Sequence, residues 1–107
     1  MGAPERVAVF DELADGMLRS VTLSDGTTVC LARLGEQVTA VRDQCSHADF
    51  PLSQGYLNPD GTIECGWHGA QFRCADGAVC RGPATDPVEC FDVLVDAGVV
   101  YVRRLIA

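Results

Sequence analysis

Two short segments of this chain each hold a cysteine and a histidine almost side by side. CSHADF begins at Cys45 and ECGWHGAQF begins at Glu64. They read Cys45-x-His47 and Cys65-x-x-His68, with seventeen residues between His47 and Cys65, and they contain the only two histidines of the sequence. Thiolate and imidazole are the side chains that borderline and soft metal ions prefer. Matched pairs of this kind constrain the fold, because the two segments must be loops whose tips face one centre. A reactive cysteine with a histidine base accounts for one pair but not for its duplication, since such nucleophile–base pairs stand alone. Two thiolates and two imidazoles suit tetrahedral zinc or an iron–sulfur centre. Zinc fingers usually place both cysteines in one half and both histidines in the other, whereas each loop here supplies one of each.

The rest of the chain reads as short strands separated by turn residues. Arg6–Phe10 is the first, followed by a helical turn at Glu12–Gly16. Met17–Leu23, Thr27–Leu34 and Gln37–Arg42 then form a meander turning at Ser24–Gly26 and Gly35–Glu36. A polar, irregular stretch runs from Asp43 to Gln54. Asn58–Gly61 is a turn, Thr62–Cys65 a short strand, and Ala70–Cys74 with Ala78–Cys80 a hairpin turning at Asp76-Gly77. Arg81–Pro87 holds two prolines and reads as loop, and Val88–Val95 and Val99–Arg104 close the chain as a hairpin turning at Asp96–Gly98. No segment of helical period competes, and there is no repeat or linker. The expectation is one all-β domain over residues 1–107.

Composition narrows the function. Fifteen acidic against eight basic residues give a formal charge of −7, which disfavours nucleic acid as a partner and favours a protein with a basic patch. No apolar run is long enough to span a membrane, and MGAPERVAVF lacks the pattern of an export signal, so a monomeric cytoplasmic protein is expected. Six cysteines in a short exported chain would indicate a disulfide scaffold. Here Cys30, Cys74, Cys80 and Cys90 match no ligand spacing and fall in or beside expected strands, where they are expected as small buried hydrophobes.

On the motif C-x-H-x17-C-x-x-H, with its flanks CSHADFPLSQGYL and ECGWHGAQF and the GPA of Gly82–Ala84, the chain resembles the Rieske family. The likeness is strongest to the small Rieske-type ferredoxins of bacterial aromatic-ring dioxygenase systems and extends over nearly the whole chain. It implies three antiparallel β-sheets, with a cluster-binding subdomain near residues 43–84. It also implies one 2Fe–2S cluster, with Cys45 and Cys65 on the inner iron and His47 and His68 on the outer. The function implied is one-electron carriage, without catalysis of its own, from a flavin-dependent ferredoxin reductase to a terminal oxygenase, both docking at the His47/His68 end. Trp67 would shield the cluster or help dock a partner, and Phe50, Pro51 and Leu52 would either pack the loop or form an apolar rim around the histidines. A ferredoxin of another system (a monooxygenase, iron–sulfur assembly or a nitrite-reductase small subunit) is the nearest alternative, and a zinc-stabilised binding module is a remoter one.

Departures from the pattern carry information too. Respiratory Rieske proteins have an extra disulfide-forming cysteine in each loop, where Phe50 and Trp67 stand here. They also have a serine and a tyrosine whose hydroxyls reach the cluster, where Ala70 and Phe72 stand here. Donors to sulfur stabilise the reduced state, so their absence implies a potential near the low end of the Rieske range, about −150 mV.

Overall fold

The computed structural model describes residues 4–45, 50–66, 69–82 and 86–104. Among them the chain forms ten strands: β1 (Glu5–Val9), β2 (Leu18–Thr22), β3 (Thr28–Leu34), β4 (Gln37–Arg42), β5 (Tyr56–Leu57), β6 (Thr62–Glu64), β7 (Gln71–Arg73), β8 (Val79–Arg81), β9 (Cys90–Asp96) and β10 (Val99–Arg104). Every pairing is antiparallel, in a six-stranded sheet of order β1-β10-β9-β4-β3-β2 and a four-stranded sheet of order β5-β6-β7-β8.

Strand β3 explains the layering. Its residues Val29, Cys30, Leu31 and Ala32 are all buried, which for a strand means cover on both faces. Val29 and Leu31 join Val38, Ala40, Phe91, Val100 and Val102 in one core. Cys30 and Ala32 join Val41, Leu52, Ile63, Ala70 and Phe72 in a second core on the opposite face. The β2–β3–β4 wall therefore separates two hydrophobic layers, one under β9 and β10 and one under the small sheet. The three sheets expected from the family resemblance correspond to β1-β10-β9, this wall and the small sheet. Two of them count as one hydrogen-bonded sheet because β4 and β9 pair, over only Ala40↔Phe91 and Val41↔Cys90.

Turn chemistry sets most of the hairpins. Ala97 and Gly98 both have positive φ, 50° and 77°, and join the opposed residues Asp96 and Val99, the geometry a two-residue hairpin loop prefers. The expected helical turn at Glu12–Gly16 lies instead at Phe10–Glu12, as a single 3-10 turn. Residues after it are held by the β3–β4 hairpin: Gly16 N–H donates to the Arg33 carbonyl at 2.8 Å, and Asp15 Oδ1 accepts the Gly35 amide at 2.7 Å. That anchoring takes the Gly16 amide, which a helical turn would direct to the Glu12 carbonyl. Two elements were not expected, the 3-10 turn Leu52–Gln54 and the short edge strand β5.

Candidate metal centre

Both expected cysteine ligands stand at the base of a loop, and both loops close in the same way. The Cys45 amide donates to the Phe50 carbonyl at 2.9 Å, and the Cys65 amide donates to the Ala70 carbonyl at 2.7 Å, five residues on in each case. Each hydrogen bond pins a ligand cysteine to the far side of its own loop. Strand β4 leads into the first loop, while β6 and β7 frame the second, their Glu64 and Gln71 side chains bonded at 2.8 Å just outside it.

The loops are brought together by close packing at two glycines. A Cβ on Gly66 would lie 3.2 Å from the Phe50 ring, so the end of the first loop rests on the residue after Cys65. A Cβ on Gly55 would lie 2.0 Å from the Glu64 carbonyl oxygen, so the 52–55 turn runs against the strand that delivers Cys65. Gly55 and Gly66 thus each mark a close approach of two segments. Gly69, with φ of 74°, is the one that makes a left-handed turn.

Cys45 and Cys65 are 2% and 1% exposed and share one core with Leu52, Ala70 and Phe72. No disulfide forms among the described residues, which include all six cysteines. Two buried cysteines on similarly closed, abutting loops fit the thiolate half of an iron–sulfur centre. His47, His68 and Trp67, and Pro83 and Ala84 of the GPA segment, lie outside the described residues. Among the described residues no group of three or more ligand side chains converges.

The four other cysteines divide. Cys30 and Cys74 are buried as expected. Burial pushes the Cys30 thiol well up, with Asp43 and Cys74 facing it adding to the effect. Burial likewise raises Cys74, against a hydrogen bond with Thr39 that acts the other way. Both stay neutral thiols and serve as core. Cys90 is half-buried, and Cys80 is exposed, contrary to the expectation of a buried hydrophobe. The reason is a bulge: Gln71 pairs with Arg81 and Phe72 with Val79, which leaves Cys80 as the extra residue turned outwards. Of the apolar residues after His47, Leu52 is core, whereas Phe50 and Pro51 are only half-buried.

One functional candidate escaped the sequence. Asp43, two residues before Cys45, is buried, and its carboxylate accepts the Ser53 amide and the Ser53 hydroxyl, both at 2.7 Å. The signal available was the acidic residue itself, in a stretch classed only as polar and irregular.

Comparison with known proteins agrees with this geometry. The family described as Rieske [2Fe-2S] domain matches residues 4–92. The 3-phenylpropionate/cinnamic acid dioxygenase ferredoxin subunit of Photorhabdus laumondii subsp. laumondii is 35% identical over 90% of this chain and 90% of its own. The ferredoxin of carbazole 1,9a-dioxygenase from Nocardioides aromaticivorans IC177 superimposes with a TM-score of 0.89 at 34% identity, covering 96% of this chain and 99% of that one. A ferredoxin chain in a complex of reduced oxygenase and oxidized ferredoxin of carbazole 1,9a-dioxygenase gives a TM-score of 0.90 at 30% identity, covering 97% of each.

Proposed function

The chain belongs to the Rieske [2Fe-2S] domain family, and from that premise we propose that it is the ferredoxin of a multicomponent aromatic-ring-hydroxylating dioxygenase. It carries single electrons from a flavin-dependent ferredoxin reductase to a terminal oxygenase and catalyses no reaction of its own. Residues 1–107 act as one domain, with residues 43–84 as its cluster-binding part. When bound, the 2Fe–2S cluster supplies a one-electron couple, which imidazole ligation makes easier to reduce than an all-thiolate cluster. Cys45 and Cys65 would hold one iron through their buried thiolates, and His47 and His68 would hold the other. Partners dock at the His47/His68 end, where the half-buried Phe50 and Pro51 form an apolar rim.

The observation that carries this proposal is the pair of buried cysteines on identically closed, touching loops. One described cavity, about 240 Å³, is lined by Pro4, Asp92, Val93, Leu94, Tyr101 and Arg103, away from both candidate ligand cysteines. Among the described residues no helix is long and apolar enough to cross a membrane, and we place the protein as a monomer in the cytoplasm. The test is iron, acid-labile sulfide and reduced-state EPR on the purified protein. Electron transfer is then measured with candidate reductase and oxygenase pairs. Colourless protein with stoichiometric zinc overturns the family-based function; an iron–sulfur protein that no dioxygenase system accepts overturns the assignment to ring dioxygenation.

A further inference from the structure

Among the described residues Asp43 is the one buried carboxylate, 7% exposed. Taking such a group out of water costs several kcal/mol unless its oxygens are bonded. Here both are. Oδ1 accepts the Ser53 amide and Oδ2 the Ser53 hydroxyl, each at 2.7 Å, while the Asp43 amide donates to the Thr28 carbonyl at 3.0 Å. Both oxygens are thus satisfied by a single residue. Asp43 joins three pieces of chain: the start of β3, the segment entering the Cys45 loop and the 52–54 turn.

A neutral side chain could serve as such a joint. Asparagine can accept the amide hydrogen bond and donate to the hydroxyl. What asparagine lacks is the charge, and among the described residues no cation offsets it. The neighbouring Arg42 is directed elsewhere, to Glu89 at 3.6 Å. The residue that carries the charge stands two positions before Cys45. Two residues of extended chain span at most about 7 Å, which bounds the separation of the Asp43 and Cys45 Cα atoms. Ser53 follows Leu52, which packs in the same core as Cys45 and Cys65.

We infer that Asp43 is a positioning residue whose Ser53-anchored negative charge holds the reduction potential of the centre down. The inference rests on the Rieske assignment and adds a determinant to it. An electron arriving at the centre raises its negative charge. A fixed carboxylate nearby in a low-dielectric core opposes that more strongly than it would in water. The absent hydroxyls at Ala70 and Phe72 act in the same direction, by leaving the reduced state without two donors.

The test is a redox titration followed by EPR on the loaded wild-type chain, Asp43→Asn and Ser53→Ala. Asp43→Asn keeps the joint and removes the charge, so its midpoint potential rises while the reduced-state EPR line shape remains that of wild type. Ser53→Ala keeps the charge and removes one anchor, so its potential moves by less than half as much. The inference is overturned by an unchanged potential in Asp43→Asn or by an equal rise in Ser53→Ala. It is also overturned by an Asp43→Asn chain that takes up no iron, which assigns Asp43 to folding alone. Failure of the wild-type chain to hold iron and sulfide defeats the Rieske assignment itself, a separate outcome.

Discussion

Gly55→Ala is the substitution that most directly probes how the two ligand loops are held together. The added Cβ would lie 2.0 Å from the Glu64 carbonyl oxygen, 3.1 Å from the Glu64 carbonyl carbon and 3.2 Å from the Gly66 amide nitrogen. All three are backbone atoms, so no side chain can swing aside. Ordinary contact requires the segments to separate by more than 1 Å, measured from about 3.4 Å to the 2.0 Å found here. β5 is paired with β6 only through Tyr56↔Glu64 and Leu57↔Ile63, so a shift of that size breaks the pairing. Overpacking of about 1–3 kcal/mol and about two lost hydrogen bonds near 1 kcal/mol each sum to roughly 3–5 kcal/mol. For a chain of this length that corresponds to a fall of roughly 10–20 °C in the unfolding midpoint. The assay is thermal unfolding by circular dichroism at one scan rate, with iron content and visible spectrum measured in parallel. Gly77→Ala is the comparison: its Cβ would lie 2.1 Å from the Val88 carbonyl oxygen and its φ is 75°, so it also destabilises. Gly55 abuts β6, which ends one residue before Cys65, whereas Gly77 contacts Val88. Gly55→Ala therefore lowers iron occupancy as well as stability, and Gly77→Ala lowers stability with the visible spectrum unchanged. Wild-type melting and iron content in Gly55→Ala, or equal spectral change in both variants, would refute the close-approach account.

Two further outcomes are expected. Ala70→Ser with Phe72→Tyr restores the two missing hydroxyls at fully buried positions in the core that holds Cys45 and Cys65. Each new bond to a charged acceptor, about 1.5–3 kcal/mol, raises the potential by about 60–130 mV, and an unmoved potential in a variant with normal iron content speaks against low potential arising from their absence. At the surface, Asp76 is held down to about 2, first by the Arg73 side chain and then by the Ala78 amide. Because the folded-state value is depressed, the stabilisation is present above about pH 4 and is lost as pH falls through about 2. Urea midpoints across that window fall less steeply for Arg73→Gln than for wild type, and parallel curves would remove the Arg73 contribution.

The burial of the two candidate ligand cysteines and much of the strand order were legible because their signals are local. Turns at Gly26, Gly35 and Gly98 need positive φ over one or two residues, and glycine supplies it wherever the rest of the chain goes. Cys45 and Cys65 declared themselves by spacing, since a metal site needs particular side chains at particular intervals. The errors came where a distant partner decided the outcome. The 3-10 turn moved from Glu12–Gly16 to Phe10–Glu12 because Asp15 and Gly16 bond to residues 33 and 35. Cys80 faced out because of a bulge in the β7–β8 register, which depends on how Phe72 and Val79 meet in the core.

From the sequence alone, then, came an all-β chain, the residue types of a Rieske centre and the absence of the two hydroxyls that would raise its potential. Those properties belong to single residues and short intervals. Only the tertiary structure decided that Gly55 and Gly66 let the two ligand loops touch, that β4 and β9 merge two layers through two residue pairs, and that Asp43 is sealed against Ser53 beside the centre. Each of these is a meeting of segments nine or more residues apart. Where such segments meet is set by how whole layers pack, which no local pattern of residues records.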